Sequence, residues 1–183
     1  MTVSGTSAFD QAIARIRNHE AAMRDSLGWS MRFIFPTARS PGVDFTYTIG
    51  LTEKFNAPEL IIFGVGQSGG GILTKAVQKL EAGHRHTDWE VDRDIIRGFG
   101  LCFRSVTLES ASGCLTAAHE IYGSSMRVMQ IVSPDRRGAY PWEEGCMEAW
   151  RQTQLQLEFA TSTPPSGASA PSIDTMKSAS GRA

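Results

Sequence analysis

The sequence contains little cysteine, and its cysteines are scattered. There are three, Cys102, Cys114 and Cys146, and no two of them form a CxxC pair. An odd number of widely spaced thiols excludes a disulfide framework and is typical of a protein that stays in a reducing compartment. We therefore expect three reduced cysteines and a cytoplasmic location.

The sequence also lacks an excess of charge of one sign and a long apolar run. It has 18 lysines and arginines against 19 aspartates and glutamates, which excludes a global attraction to nucleic acid or to an anionic membrane. Its longest apolar runs, such as residues 60–65, are far too short to span a bilayer, and no charged-then-apolar leader is visible. We therefore expect no nucleic-acid or membrane partner, and a monomer or a small homo-oligomer.

Helix and strand signals alternate over the first 160 residues. Apolar residues at helical spacing predict helices over residues 7–27, 72–82, 110–122 and 143–159. Alternating or continuous apolar runs predict strands over residues 29–35, 43–49, 59–65, 99–108 and 126–132. Residues 51–58 are predicted to form a loop, and residues 83–98 are too polar to assign.

The composition changes sharply at Thr161. Residues 161–183 are mainly Ser, Thr, Pro, Ala and Gly, so they have almost nothing to bury, and a disordered tail is predicted. The first three strands are close enough along the chain for an antiparallel meander, whereas the later strands need helical crossovers. We therefore predict one globular α+β domain over residues 1–160, with an N-terminal helix and a mixed, mostly antiparallel sheet covered by helices.

Two motifs resemble the signatures of a bacterial family of domains of unknown function, DUF4262. The first is FTYTIGL at residues 45–51 with APELIIFG at residues 57–64, and the second is QIVSPDRRGAYPWE at residues 130–143. This chain has Ser133 where the family usually has Trp, and Tyr140 where it usually has Phe, so a role that needs an indole at residue 133 does not carry over. The resemblance extends over roughly residues 20–150. It implies no activity, because the family has no settled one.

The glycine-rich segment at residues 64–69 is the first candidate site. It is a literal GxGxxG between a strand and a helix, which is the context of a dinucleotide-binding fingerprint. The polar stretch that follows the helix argues against a dinucleotide, although Glu90 lies at about the right distance. A simpler hypothesis is an anion site made by the N–H groups of Gly66 and Gly69 with the hydroxyl of Ser68. The structural alternative is a turn that Ser68 caps.

The connection at residues 135–143 is the second candidate site. Asp135 fits the first position of a type I turn, and Glu143 fits the first turn of a helix. Arg136, Tyr140 and Trp142 add a cation and two aromatic rings, which suit an anionic or planar ligand, or a protein partner. The structural and the functional interpretations both stay open.

Polar residues at a strand end form the third candidate site. Tyr47, Thr48 and Gly50 end one predicted strand and Glu59 begins the next, so they could form the floor of a polar pocket. A catalytic carboxylate would need a raised pKa or a partner. The alternative is that these are ordinary polar residues at a turn and a strand end.

A metal site is the least favoured candidate. His84 and His86 could ligate a metal with Asp88 or His119, but the two histidines point the same way only if the segment is extended. A solvated loop is the default interpretation, so we predict no metal site. The HExxH and Walker lysine motifs are absent as well.

These candidates lead to three functional hypotheses. The favoured one is an accessory module that binds a small anionic ligand or a protein partner in a pocket where all three segments converge at strand ends. The second is an enzyme that uses a phosphate-bearing cofactor such as flavin mononucleotide, FMN. The third is a pure protein-interaction module with Tyr140 and Trp142 exposed as anchors. A pocket predicts Trp142 partly buried beside Arg136 or Arg137.

Overall fold

The computed structural model describes residues 7–38, 41–154 and 157–161, except for the side chains of residues 8–10. The helices are α1 (Ala8–Leu27), α2 (Leu51–Phe55), α3 (Ser68–Glu81), α4 (Leu108–Ser112), α5 (Thr116–Tyr122) and α6 (Glu148–Gln154), with a 3-10 turn at Gly123–Ser125. The strands are β1 (Ser30–Ile34), β2 (Phe45–Ile49), β3 (Glu59–Phe63), β4 (Val91–Ile96), β5 (Phe99–Ser105) and β6 (Val128–Val132).

The six strands form one mixed sheet in the order β1-β2-β3-β6-β5-β4. Neighbouring strands are antiparallel except for the central pair β3 and β6, which is parallel. The first three strands form the predicted meander. The predicted fold class, α+β with a mostly antiparallel sheet covered by helices and an N-terminal helix, is therefore confirmed.

The sheet buries both of its faces, and β3 shows how. Leu60 and Ile62 pack in the same core as α3, whereas Ile61 and Phe63 pack in the core on the side of α4 and α5. Successive strand residues point to opposite faces, so a strand that is apolar at each of these positions serves two cores. This explains why residues 59–63 show no polar alternation after Glu59.

The first turn of helix α3 lies against the sheet at positions where only glycine fits. A Cβ atom on Gly69 would lie 2.8 Å from Oγ1 of Thr46, and one on Gly70 would lie 2.6 Å from Cζ of Phe33. Both separations are too short for ordinary van der Waals contact. The two glycines therefore serve the packing of α3 on β1 and β2.

Two elements were missed by the sequence prediction. The predicted loop at residues 51–58 contains α2, whose start is held by the carboxylate of Glu59, a residue that follows the helix in sequence. The unassigned stretch at residues 83–98 contains β4, an edge strand with a register shift between Asp92 and Ile96. The start of α2 depends on a carboxylate outside the helix, and β4 has an irregular register, so neither element follows from the pattern of its own residues.

Two predicted helices were too long. The helix predicted at residues 110–122 is two short helices, α4 and α5. The helix predicted at residues 143–159 shortens to α6, because Gly145 has a left-handed φ of 91° that a helix does not allow. Phe159 instead forms an isolated bridge with Val106.

The predicted tail lies outside the described residues, apart from Thr161. The hydroxyl of Thr161 donates to the carboxylate of Asp88, so this residue is attached to the folded part of the chain. Among the described residues, no helix is both long enough and apolar enough to cross a bilayer.

Candidate functional site

A groove of about 570 Å³ opens where the parallel strands β3 and β6 end. It is bounded by the start of α3, by the hairpin of β4 and β5, by the connection that follows β6, and by α6. Its walls are mostly apolar and include Val65, Ile72, Ile96, Phe99, Leu101, Pro134, Met147 and Trp150. The carboxyl ends of neighbouring strands are the usual position of a ligand crevice in sheets with parallel strands.

Asp135 holds one wall of the groove in shape. Its Oδ1 accepts the backbone N–H groups of Arg137 (2.8 Å) and Ala139 (3.1 Å), and its Oδ2 accepts that of Met147 (3.0 Å). The side chain is only 1% exposed. Burial opposes ionisation, but the three N–H donors outweigh it and lower the pKa of Asp135. The carboxylate therefore organises the connection and is already fully engaged.

Arg136 and Glu143 have different positions on the same connection. Arg136 is exposed at the rim of the groove, and no hydrogen bond or ion pair of its side chain is found among the described residues. Glu143 closes the connection, because its Oε2 accepts the N–H of Tyr140 at 2.8 Å. Among the described residues that line the groove, the free cation is thus Arg136.

Tyr140 and Trp142 do not line the groove. Tyr140 packs with Cys102 and Val132, strand residues that alternate with the ones facing α3, so it lies on the opposite face of the sheet. It is 4% exposed, and its hydroxyl donates to the carbonyl of Gly100 at 3.0 Å. Trp142 is half-buried and stacks on Tyr140 with ring centroids 5.0 Å apart.

The cation beside Trp142 is Arg104, which the sequence analysis did not single out. Its guanidinium carbon lies 3.5 Å from the ring centroid of Trp89, 4.2 Å from that of Phe159 and 5.5 Å from that of Trp142. The residue is 1% exposed and its Nε donates to Asp88 at 3.3 Å. An arginine inside an otherwise apolar strand was the available signal. Arg104 lies at the centre of the cluster formed by the rings of Trp89, Phe159 and Trp142. This cluster holds residues 157–161 on β5.

Replacing Arg104 with lysine should lower the free energy of unfolding by about 1–2 kcal/mol. Lysine keeps the charge but loses the planar face that stacks on Trp89. Urea denaturation followed by circular dichroism measures the loss, with the exposed Arg97→Lys as the matched control. Equal stability of the two variants would contradict the role of stacking.

The third candidate site, the strand end at residues 47–50 with Glu59, lies at the end of the sheet opposite to the groove. The predicted convergence of the three segments is therefore wrong. Strand β2 is antiparallel to β3, with Tyr47 opposite Ile61 and Phe45 opposite Phe63. Thr48 and Gly50 therefore lie beside the start of β3 and away from the groove at its end. Only the glycine-rich segment and the 135–143 connection meet at the groove, through Val65, Asp135 and Arg136.

Glu59 lies in a fully buried hydrogen-bond network with Thr48. Its Oε2 accepts the hydroxyl of Thr48 at 2.8 Å, and its Oε1 accepts the N–H groups of Gly50 (3.1 Å) and Thr52 (3.0 Å) and the hydroxyl of Thr52 (3.1 Å). Burial raises the pKa of Glu59, and these donors act against that rise. Tyr47, 0% exposed, packs in the core beside Ile61. The network accounts for α2, and ligand binding by these residues stays a prediction.

The glycine-rich turn has its N–H groups largely in use. Gly66 donates to the carboxylate of Asp44 at 2.7 Å, Ser68 donates to the carbonyl of Val65 and Gly69 donates to that of Gly66, both at 3.2 Å. Ser68 is the first helical residue and not the cap, and no side chain caps the helix. The dinucleotide hypothesis also fails on topology, because the next strand, β4, pairs with β5 at the far edge of the sheet.

The comparisons with known proteins agree with the two motifs. Neither the curated proteins nor the solved structures contain a match. The family model described as Domain of unknown function (DUF4262) matches residues 24–147, which include the groove residues from Val65 to Met147 and the Glu59 network. The chain therefore belongs to the DUF4262 family.

Proposed function

We propose that this domain is a binding module whose ligand occupies the groove at the carboxyl ends of β3 and β6. The observation that carries the proposal is a concavity of about 570 Å³ with mostly apolar walls at that position. Small-molecule sites typically have volumes of about 300–1,000 Å³, apolar walls and a few polar groups. A bacterial, cytoplasmic accessory role is an expectation from the sequence and is not needed for this proposal.

The ligand class follows from the polar groups at the groove. Asp135 has its carboxylate engaged by three backbone N–H groups, so it offers little to a ligand. Arg136 is the cation at the rim with no partner among the described residues. A guanidinium pairs well with a carboxylate, sulfonate or phosphate. The ligand is therefore a small, largely apolar molecule with one anionic group.

The anion site predicted at the glycine-rich turn stays a prediction. The N–H groups of Gly66, Ser68 and Gly69 already donate within the protein, and the Asp44 carboxylate at the turn repels a second anion. We therefore place the anionic group of the ligand at Arg136. No specific observation favours the FMN enzyme, and a Tyr140 that is 4% exposed does not support an interaction module anchored on it.

The small side chain of Ser133 contributes to the open volume of the groove. It lines the groove, at the position where the motif resemblance implies a Trp in the family's usual pattern. An indole at residue 133 would extend into space that a serine leaves open.

Replacing Arg136 with glutamine should weaken binding of an anionic apolar probe about tenfold, because one charge-assisted contact contributes about 1.5 kcal/mol. The probes are 8-anilinonaphthalene-1-sulfonate, followed by fluorescence, and decanoate, which should displace it. The matched control is Arg137→Gln, since Arg137 is exposed on the same turn but does not line the groove. Equal weakening by both variants would show that only the general charge matters.

Occlusion of the groove provides an independent test. Ser133→Trp should abolish binding of both probes, whereas Ala14→Trp, which adds the same ring on the exposed side of α1, should leave binding unchanged. Full binding by a folded Ser133→Trp variant would place the probe elsewhere and overturn the proposal.

A further inference from the structure

The loop between α3 and β4 brings together two histidines and a glutamate. Nε2 of His84 lies 2.6 Å from Oε1 of Glu90, and Nδ1 of His86 lies 3.6 Å from the same oxygen. One ligand atom from each of the three residues lies within 4.8 Å of the other two. The acid beside the histidines is therefore Glu90, whereas Asp88 is bonded to Arg104.

His86 has an unpaired acceptor that faces this group. Its side chain is 2% exposed and lies flat on the ring of Phe103, with centroids 3.9 Å apart. Its Nε2 lies 3.1 Å from the carbonyl oxygen of Ala76. A carbonyl only accepts, so Nε2 carries the hydrogen and Nδ1 has a bare lone pair. That buried Nδ1 has no hydrogen-bond partner.

No positive charge lies between the acceptor atoms of His86 and Glu90 in this group of three residues. The lone pair of His86 Nδ1 and the carboxylate oxygen of Glu90 face each other at 3.6 Å without a hydrogen between them. Two acceptors held at this separation are the arrangement that a metal cation satisfies.

We propose that His84, His86 and Glu90 bind a divalent transition-metal ion, for which Zn²⁺ fits best. Two imidazoles and one carboxylate are a common set of three protein ligands for Zn²⁺, and hard cations such as Mg²⁺ prefer oxygen ligands alone. Ligand atoms about 2.0–2.1 Å from zinc lie about 3.3–3.4 Å apart in a tetrahedron. The separation of His86 from Glu90 is close to this value, and binding replaces the hydrogen bond from His84 to Glu90.

The surrounding contacts already orient two of the three ligands. The carbonyl of Ala76 holds the far nitrogen of His86, and the N–H of Thr87 donates to Oε2 of Glu90 at 2.8 Å. Such contacts outside the ligand set position the donor atoms and tune the metal. The side chain of His84 is 44% exposed, so the fourth position faces solvent and is open to water or a small ligand.

The test is a calorimetric titration of the full, untagged chain with Zn²⁺. A Cys114→Ser parent removes the partly exposed thiol, which could bind zinc on its own. We expect one Zn²⁺ per chain and no binding of Mg²⁺. Glu90→Gln and His84→Asn should each weaken zinc binding about tenfold or more, whereas His119→Asn, on α5, should leave it unchanged.

A second measurement separates a defined site from loose surface binding. Co²⁺ in place of Zn²⁺ should give the visible absorption of a low-coordinate site in the parent, and this absorption should disappear in Glu90→Gln. Neither variant needs the buried His86 to be changed, and circular dichroism checks that each is folded. No zinc binding by the parent, or equal affinities of the parent and a folded Glu90→Gln variant, would overturn the proposal.

Discussion

Replacing Glu59 with alanine should lower the free energy of unfolding by about 4 kcal/mol. Glu59 is 0% exposed, and its carboxylate accepts hydrogen bonds from Thr48, Gly50 and Thr52. Alanine leaves these donors buried without an acceptor and also leaves a cavity. Because the same bonds hold the start of α2, the loss should include that helix. Urea denaturation at neutral pH, followed by circular dichroism, measures the effect.

Two variants separate the network from a general effect of removing an acid. Glu59→Gln keeps the shape and one acceptor oxygen for Gly50 and Thr52, so we expect a smaller loss of about 1–2 kcal/mol. Glu53→Ala removes an exposed carboxylate from α2 itself and should cost less than about 0.5 kcal/mol. If Glu59→Ala were as stable as Glu53→Ala, the hydrogen-bond network would have no part in stability.

Replacing Asp135 with alanine should lower the free energy of unfolding by about 3 kcal/mol and also abolish probe binding in the groove. The carboxylate is the acceptor for the N–H groups of Arg137, Ala139 and Met147, and hydrogen bonds to a buried charge contribute more than neutral ones. Without it, the wall between β6 and α6 loses its shape. Urea denaturation and 8-anilinonaphthalene-1-sulfonate fluorescence measure the two effects in the same sample.

The stabilisation by Asp135 should depend on pH with a definite sign. The N–H donors lower the pKa of Asp135 in the folded protein below its ordinary value of 3.8. The unfolded chain therefore binds the proton first as the pH falls. The stabilisation by Asp135 is complete at pH values above the ordinary pKa, and it is lost as the pH falls through the lowered pKa of the folded protein. Asp135→Asn should remove this contribution, so the stability of the variant should fall less between pH 7 and pH 3.

The control for this pH dependence is Glu144→Gln, which changes an exposed acid of the same connection. Its stability should fall with pH as that of the unchanged protein does. A wild-type pH profile in Asp135→Asn would mean that Asp135 has the same pKa folded and unfolded.

Local sequence patterns determined much of the secondary structure and the family. The continuous apolar run of β3 and the helical stripe from Ile72 to Leu80 are signals within one segment, and both elements are present. The two motifs at residues 45–64 and 130–143 identified the family, whose model matches residues 24–147. The prediction missed elements that depend on residues outside their own segment, such as α2, whose start is held by the carboxylate of Glu59.

The tertiary structure decided which of the candidate residues come together. Periodicity shows that Tyr47 and Thr48 lie in a strand, but it does not give the direction of that strand relative to its neighbour. The antiparallel pairing of β2 with β3 places the end of β2 beside Glu59 at the start of β3, away from the groove. Likewise, aromatic rings on a loop carry no signal of the sheet face they will cover. Trp142 lies beside Arg104, Tyr140 stacks on Trp142, and neither ring lines the groove with Arg136.

The apolar walls of the groove have the same physical explanation. Ile72 and Phe99 have the sequence signature of core residues, and only the arrangement of α3, α6 and the β4–β5 hairpin leaves space between them. Short-range patterns report the free energy of burying each side chain. Which buried surfaces meet, and where a gap remains, depends on pairings between residues far apart in the chain, and those were decided only in the folded structure.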